Sequence, residues 1–125
     1  MKLRIKGSSI RLRLTEPEVR TLASVGALEE SVRFPDGATW RYRLERVASG
    51  PMRAGVKDSC LCVGLPADEI EAWAGTDRVG IDASIPLSGG GTLAILIEKD
   101  FECLHPRAGE PGAGAYPHPA KGPVR

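Results

Sequence analysis

Lys2-Leu3-Arg4-Ile5-Lys6-Gly7-Ser8-Ser9-Ile10-Arg11-Leu12-Arg13-Leu14 is a strand, a turn and a strand that mirror each other. Folding about Gly7-Ser8 sets Ile5 against Ile10, Leu3 against Leu12, Arg4 against Arg11 and Lys2 against Arg13. Glycine at the first central position suits a type II′ turn, whose twist matches that of the flanking strands. One face of this hairpin is wholly aliphatic and the other is basic, with cations directly opposite cations. Each such pair costs at most about 1 kcal/mol. The aliphatic face needs a cover, and the residues that follow supply it.

Thr15-Glu16-Pro17-Glu18 places a cap residue three positions before a glutamate, with proline in the first turn, which is a capping box. Val19, Leu22 and Ala23 recur at helical spacing and Gly26 supplies a stop, so a helix is expected from about Glu16 to Val25. A second hairpin follows. Pro35-Asp36-Gly37 suits a three-residue loop closed by a left-handed glycine. That register sets Val32 against Trp40, Leu28 against Leu44, Ser31 against Arg41 and Glu29 against Arg43. Ala48 to Gly55 reads as a loop. Val56 to Leu65 reads as one strand, central in its sheet because Cys60-Leu61-Cys62-Val63 is apolar on both faces. A short helix with Ile70 and Trp73 as its buried pair, then strands at Val79–Ile85 and Thr92–Lys99, complete the body. The fold class expected is α+β, with an antiparallel sheet of six or seven strands and two short helices packed on one face. One domain is expected over residues 1–104. Residues 105–125 are rich in proline and glycine and read as a disordered tail. No internal repeat stands out beyond the hairpin design used twice.

A chain of 125 residues is one domain by length. No stretch approaches the 18 or so apolar residues of a membrane helix, and the alternating N-terminus lacks the apolar block of a secretory signal. Three cysteines suit reduced thiols better than a disulfide framework, so a cytoplasmic protein without a membrane partner is expected. The net charge of +1 conceals a split: twelve Lys/Arg against six Asp/Glu through Lys57, and five against ten from Asp58 onward. Such a chain neutralises itself within the fold, pairs with a second copy, or presents a basic patch to an anion.

The basic face defines the candidate anion or partner site: Lys2, Arg4, Lys6, Arg11 and Arg13, extended by Arg33, Arg41 and Arg43 of the second hairpin. Cations held on a rigid sheet focus a positive potential. A solvated face with no ligand is the competing explanation. Nucleic acid is disfavoured, because Phe34, Trp40 and Tyr42 fall on the core side and leave no stacking platform. Cys60, Cys62, Cys103 and His105 form a weaker candidate set for zinc, since thiolate and imidazole suit that ion but the C-x-x-C knuckle is missing. Ser88-Gly89-Gly90-Gly91-Thr92 has the composition of a phosphate loop but leads into a strand, so it reads as a hairpin loop. Cys103 near His105 or His118 lacks a specified orienting group, and Glu98, Asp100 and Glu102 read as a polar strand end. No catalytic residue or cofactor is implied. Tyr116-Pro117-His118-Pro119 is suited to docking as an extended segment.

The opening hairpin, the turn Pro86-Leu87-Ser88-Gly89-Gly90-Gly91-Thr92-Leu93 and the end Glu98-Lys99-Asp100-Phe101-Glu102-Cys103-Leu104 resemble a family of short, uncharacterised bacterial proteins. The resemblance covers residues 1 to about 104 and implies a bacterial single-domain protein with no activity to transfer. The functional expectation is a small non-catalytic binding protein that uses its basic face and self-associates. A binder of small phosphorylated or other anionic ligands is the alternative, and a zinc protein the third.

Overall fold

Each strand of the first hairpin finds its partner where the mirror pattern puts it. In the computed structural model, which describes residues 1–101, β1 (Lys2–Lys6) and β2 (Ser9–Leu14) pair with Ile5 opposite Ile10 and Leu3 opposite Leu12. Gly7 takes φ +56° at the first turn position, as a type II′ turn requires. Thr15 caps α1 (Glu16–Val25) with the full capping box: its hydroxyl accepts from the Glu18 backbone N–H, and the Glu18 carboxylate accepts from the Thr15 N–H. Gly26 ends the helix at φ +95°. A Cβ there would lie 3.1 Å from the Arg46 guanidinium, so both conformation and space favour glycine.

The second hairpin, β3 (Ala27–Arg33) and β4 (Thr39–Val47), has the register its turn chemistry predicts, with Val32 opposite Trp40 and Glu29 opposite Arg43. The segment after it departs from expectation. In place of one strand from Val56 to Leu65 there is a third hairpin, β5 (Arg53–Lys57) and β6 (Cys60–Pro66), turning at Asp58-Ser59. Both turn residues have positive φ, 53° and 60°, which marks a type I′ turn built without glycine. Then α2 (Ala67–Ala74) starts from Pro66, and β7 (Gly80–Pro86) and β8 (Thr92–Lys99) form the fourth hairpin.

The expected single antiparallel sheet is replaced by two four-stranded sheets. The first has the order β1-β2-β8-β7 and the second β3-β4-β6-β5. Each is two antiparallel hairpins joined through a parallel central pair, β2 with β8 and β4 with β6. The helices are crossovers between the sheets and pack on each other, where the sequence suggested a layer on one sheet face. Alternation along a strand reveals its inward face and not its neighbour, so this pairing was outside what periodicity encodes.

The two halves of the described chain repeat. β1-β2-α1-β3-β4 and β5-β6-α2-β7-β8 have the same order, and each sheet takes one hairpin from each half. Leu3 opposite Leu12 corresponds to Ala54 opposite Val63, an offset of 51 residues. Ala27 opposite Glu45 corresponds to Gly80 opposite Glu98, an offset of 53. The hairpin loops agree too: Phe34 N–H donates to the Ala38 carbonyl at 2.8 Å, and Leu87 N–H to the Gly91 carbonyl at 2.9 Å. The expectation of no repeat beyond the hairpin design is thereby corrected.

Matching positions build one core. Leu14 and Leu65, Leu22 and Trp73, and Leu44 and Ile97 are all fully buried members of a single hydrophobic cluster drawn from both sheets and both helices. Trp73 keeps its indole N–H satisfied at 2.9 Å from the Val79 carbonyl oxygen. Trp40 and Tyr42 lie half-buried against this cluster, with ring centroids 6.0 Å apart. Phe34, expected on the core side, is 48% exposed, because the hairpin tip runs past the packed layer.

Candidate functional site

Turning Leu12, Leu44, Val63 and Ile97 inward turns their strand neighbours outward, and this sorts the candidate cations. Lys2, Arg4, Lys6, Arg11 and Arg13 lie together on the outer face of the first sheet. Their cross-strand rows run Lys2-Arg13-Glu98-Gly80, Arg4-Arg11-Leu96-Asp82 and Lys6-Ser9-Ala94-Ser84. Arg41 and Arg43 do not extend this face. They stand on the outer face of the second sheet, in the rows Ser31-Arg41-Cys60-Lys57 and Glu29-Arg43-Cys62-Gly55. Arg33 ends β3 on that same side, opposite Thr39. One expected patch is therefore two, divided by the core, because β3 and β4 belong to a different sheet from β1 and β2.

On the first face the basic half of the sequence meets the acidic half along the β2–β8 seam. Arg13 Nε lies 2.8 Å and Arg11 Nε 3.4 Å from the same Glu98 oxygen, and Lys2 Nζ lies 3.3 Å from Asp100. This pairing neutralises part of the cluster, as the charge split allowed. Arg4 and Lys6, both exposed on edge strand β1, have no ion pair or side-chain hydrogen bond among the described residues. Beside them a shallow depression of about 300 Å³ is lined by Ser9, Arg11, Asp82, Ser84, Ala94 and Leu96. It is open rather than tunnel-like, and Arg11 is the one cation among its lining residues.

On the second face Arg43 Nε bonds Glu45 at 2.9 Å, and Arg41 Nη2 donates to the Asp58 carbonyl at 3.0 Å. Cys60 and Cys62 share this face with their sulfurs 3.6 Å apart, the Cys62 thiol donating. Burial pushes the Cys60 thiol up from its ordinary value, and the bond from Cys62 adds to it, outweighing the pull of Arg41 toward thiolate. A Cys60 thiol held toward its protonated form, on a face shared with Arg41, Arg43 and Lys57, is a poor seat for a cation. The other two expected zinc ligands, Cys103 and His105, lie outside the described residues, as do His118 and the Tyr116-Pro117-His118-Pro119 segment. Among the described residues no group of three His, Cys, Asp or Glu is placed to hold a metal ion.

Two other hollows carry side chains already engaged. One of about 680 Å³, between the start of α1 and the end of α2, is lined by Glu16 and Arg20, which pair with each other, and by Lys99, bonded to the Thr76 carbonyl. The other, about 470 Å³ beside residues 48–52, is lined by Asp68, Glu69 and Asp82, and Glu69 is held by Arg78 at 2.9 Å. The Ser88–Thr92 segment is a hairpin loop, as its position before a strand implied.

Sequence reasoning missed Arg53 and Lys57, the exposed cations of β5, because Arg53 fell in the expected loop Ala48–Gly55 and Lys57 in the single strand expected from Val56 to Leu65. The signal was present. Lys57-Asp58-Ser59-Cys60-Leu61 matches Lys6-Gly7-Ser8-Ser9-Ile10 in its lysine, its turn serine and its returning aliphatic.

A family model described as a family of unknown function, DUF7009, matches residues 1–120. The chain belongs to this family. DUF7009 membership accords with the expected resemblance to an uncharacterised family. Comparison with curated proteins and with solved structures returned no match. No helix among the described residues is long and apolar enough to cross a membrane.

Proposed function

We propose that this protein is a non-catalytic binding protein that docks an acidic partner on the outer face of its first sheet. The observation that carries this is the state of Arg4 and Lys6: two exposed cations on an edge strand, without a carboxylate partner among the described residues, while Lys2, Arg11 and Arg13 beside them are already engaged. The engaged arginines stay on the surface, held by Glu98, and give the face a fixed geometry. Its open form supports a macromolecular acidic partner over a small enclosed ligand, since ligand pockets bury most of what they bind.

The depression beside Arg11 favours a second reading, a small phosphorylated ligand held by Ser9, Ser84 and Arg11. Retention on phosphocellulose tests the first reading. The Arg4→Ser/Lys6→Ser variant is expected to elute at clearly lower salt than the parent, and unchanged retention would sink the proposal. A thermal shift with a phosphorylated metabolite that survives in this variant but disappears in Ser9→Val would instead support the small-ligand reading.

A further inference from the structure

The internal repeat supplies the first face with a counterpart. At the outer-face positions of the edge strands, Lys2 corresponds to Arg53 and Lys6 to Lys57, so both edges keep their cations. On the far strands Asp82 corresponds to Glu29 and Ser84 to Ser31. The central strands exchange roles. The first sheet carries Arg11 and Arg13 on β2, where the second has Cys62 and Gly64 on β6; the second carries Arg41 and Arg43 on β4, where the first has Ala94 and Leu96 on β8. In both cases a glutamate at matching positions pins an arginine, Glu98 on Arg13 at 2.8 Å and Glu45 on Arg43 at 2.9 Å. Each face thus holds basic residues along its edge, three on the first and two on the second because Gly55 stands where Arg4 does, together with a central arginine pair and a pinning glutamate, Glu29 being a second carboxylate on Arg43.

We infer that the second face, built on Arg41, Arg43, Arg53 and Lys57, is a second docking surface for the same acidic partner and makes the protein bivalent. The inference rests on the docking proposed for the first face. Arg53 and Lys57 are exposed and without an ion pair among the described residues, as Arg4 and Lys6 are. The two faces belong to different sheets that share one core, so a protein that docks on both bridges two stretches of an acidic chain. Linking two such contacts strengthens overall binding beyond either alone, by about 100-fold or more where the geometry permits both.

Long poly-L-glutamate, followed by light scattering at low salt, is the test. The parent protein is expected to cross-link the polymer, with scattering that peaks at an intermediate ratio and falls in polymer excess. Arg53→Ser/Lys57→Ser should bind without cross-linking and with at least about tenfold weaker apparent affinity. Both substitutions are at exposed positions, and far-UV circular dichroism checks the fold. Parent-like cross-linking by this variant overturns bivalency and leaves the first face intact as a site. Parent-like cross-linking by Arg4→Ser/Lys6→Ser removes the first face instead. Binding to a sulfated polysaccharide alone, with none to polyglutamate, overturns the acidic-polypeptide partner.

Discussion

Lys99 does at the end of α2 what Arg46 does at the end of α1. Arg46 Nη1 reaches the Ala23 carbonyl oxygen at 2.6 Å, and Lys99 Nζ reaches that of Thr76 at 2.8 Å. Neither helix carries a basic residue in its own last turn. The cation that complements the negative end of each dipole arrives from a strand, β4 for α1 and β8 for α2.

Replacing either cation with methionine should therefore cost about 0.5–1 kcal/mol, the scale of a charge at a helix terminus. The two sites share no partner, so the double variant should lose the sum. Urea denaturation measures both. A loss confined to one site would show that the repeat is geometric and not energetic.

The Met1 ammonium lies between Glu18, with which it makes a short ion pair, and Glu30, at 2.7 Å, while the Tyr42 hydroxyl donates to the Met1 carbonyl at 3.1 Å. Burial alone would raise the Glu18 pKa, but the bonds from the ammonium and from Thr15 outweigh it and hold the carboxyl below its usual value. Burial alone would lower the ammonium, and the bonds to Glu18 and Glu30 outweigh that, raising it above 8.0. The Glu18 contribution is present above its unfolded pKa and is lost as pH falls through the lowered folded value. The ammonium contribution is complete below pH 8 and is lost as pH climbs through the raised folded value. Glu18→Gln retains a capping-box residue but removes the charge. It should cost about 1–2 kcal/mol at neutral pH and flatten both limbs of the stability profile.

The left-handed turn at Asp58-Ser59 uses neither of the residues that adopt such angles most readily. Asp58→Asn/Ser59→Gly should stabilise the fold by about 0.5–1 kcal/mol through relief of backbone strain. The bonds from Arg41 to the carbonyls of Asp58 and Ser59 are to main chain and survive the change. A fall in denaturation midpoint would show that the aspartate side chain itself stabilises the turn.

Trp73 is the largest fully buried side chain. Trp73→Phe loses the bond to Val79 and part of the volume, whereas Trp73→Ala should cost about 3–5 kcal/mol. Fluorescence separates the two indoles, since only half-buried Trp40 remains in the variant, and its emission should move to longer wavelength.

Local chemistry was legible in the sequence to the residue. The Thr15 cap, the Gly26 stop and both early registers follow from turn and helix rules acting over a few positions. What stayed hidden depends on partners distant in sequence. Ser9 lies beside Ala94 and Arg41 beside Cys60 because of packing across the core, and no turn residue encodes that. The repeat is masked for a different reason. Identity survives at scattered positions such as Lys6 and Lys57, Leu14 and Leu65, Glu45 and Glu98, and the offset changes from 51 to 53 between α1 and β3. The candidate site was half legible: its residue types were visible, but their division between two sheets required the strand order.

That order also governs how the chain comes off the ribosome. Strands β1 and β2 emerge ahead of β8, their partner and the last strand among the described residues, and the second sheet needs both halves as well. A nascent first half has two hairpins and a helix but no closed sheet, so its aliphatic faces stay exposed until Thr92–Lys99 emerges. Such pairing between distant segments slows folding and lengthens the interval in which the chain is prone to aggregate. Lys2, Arg4 and Lys6 then act before any partner arrives: a strand edge studded with like charges repels its copies on neighbouring chains during that wait.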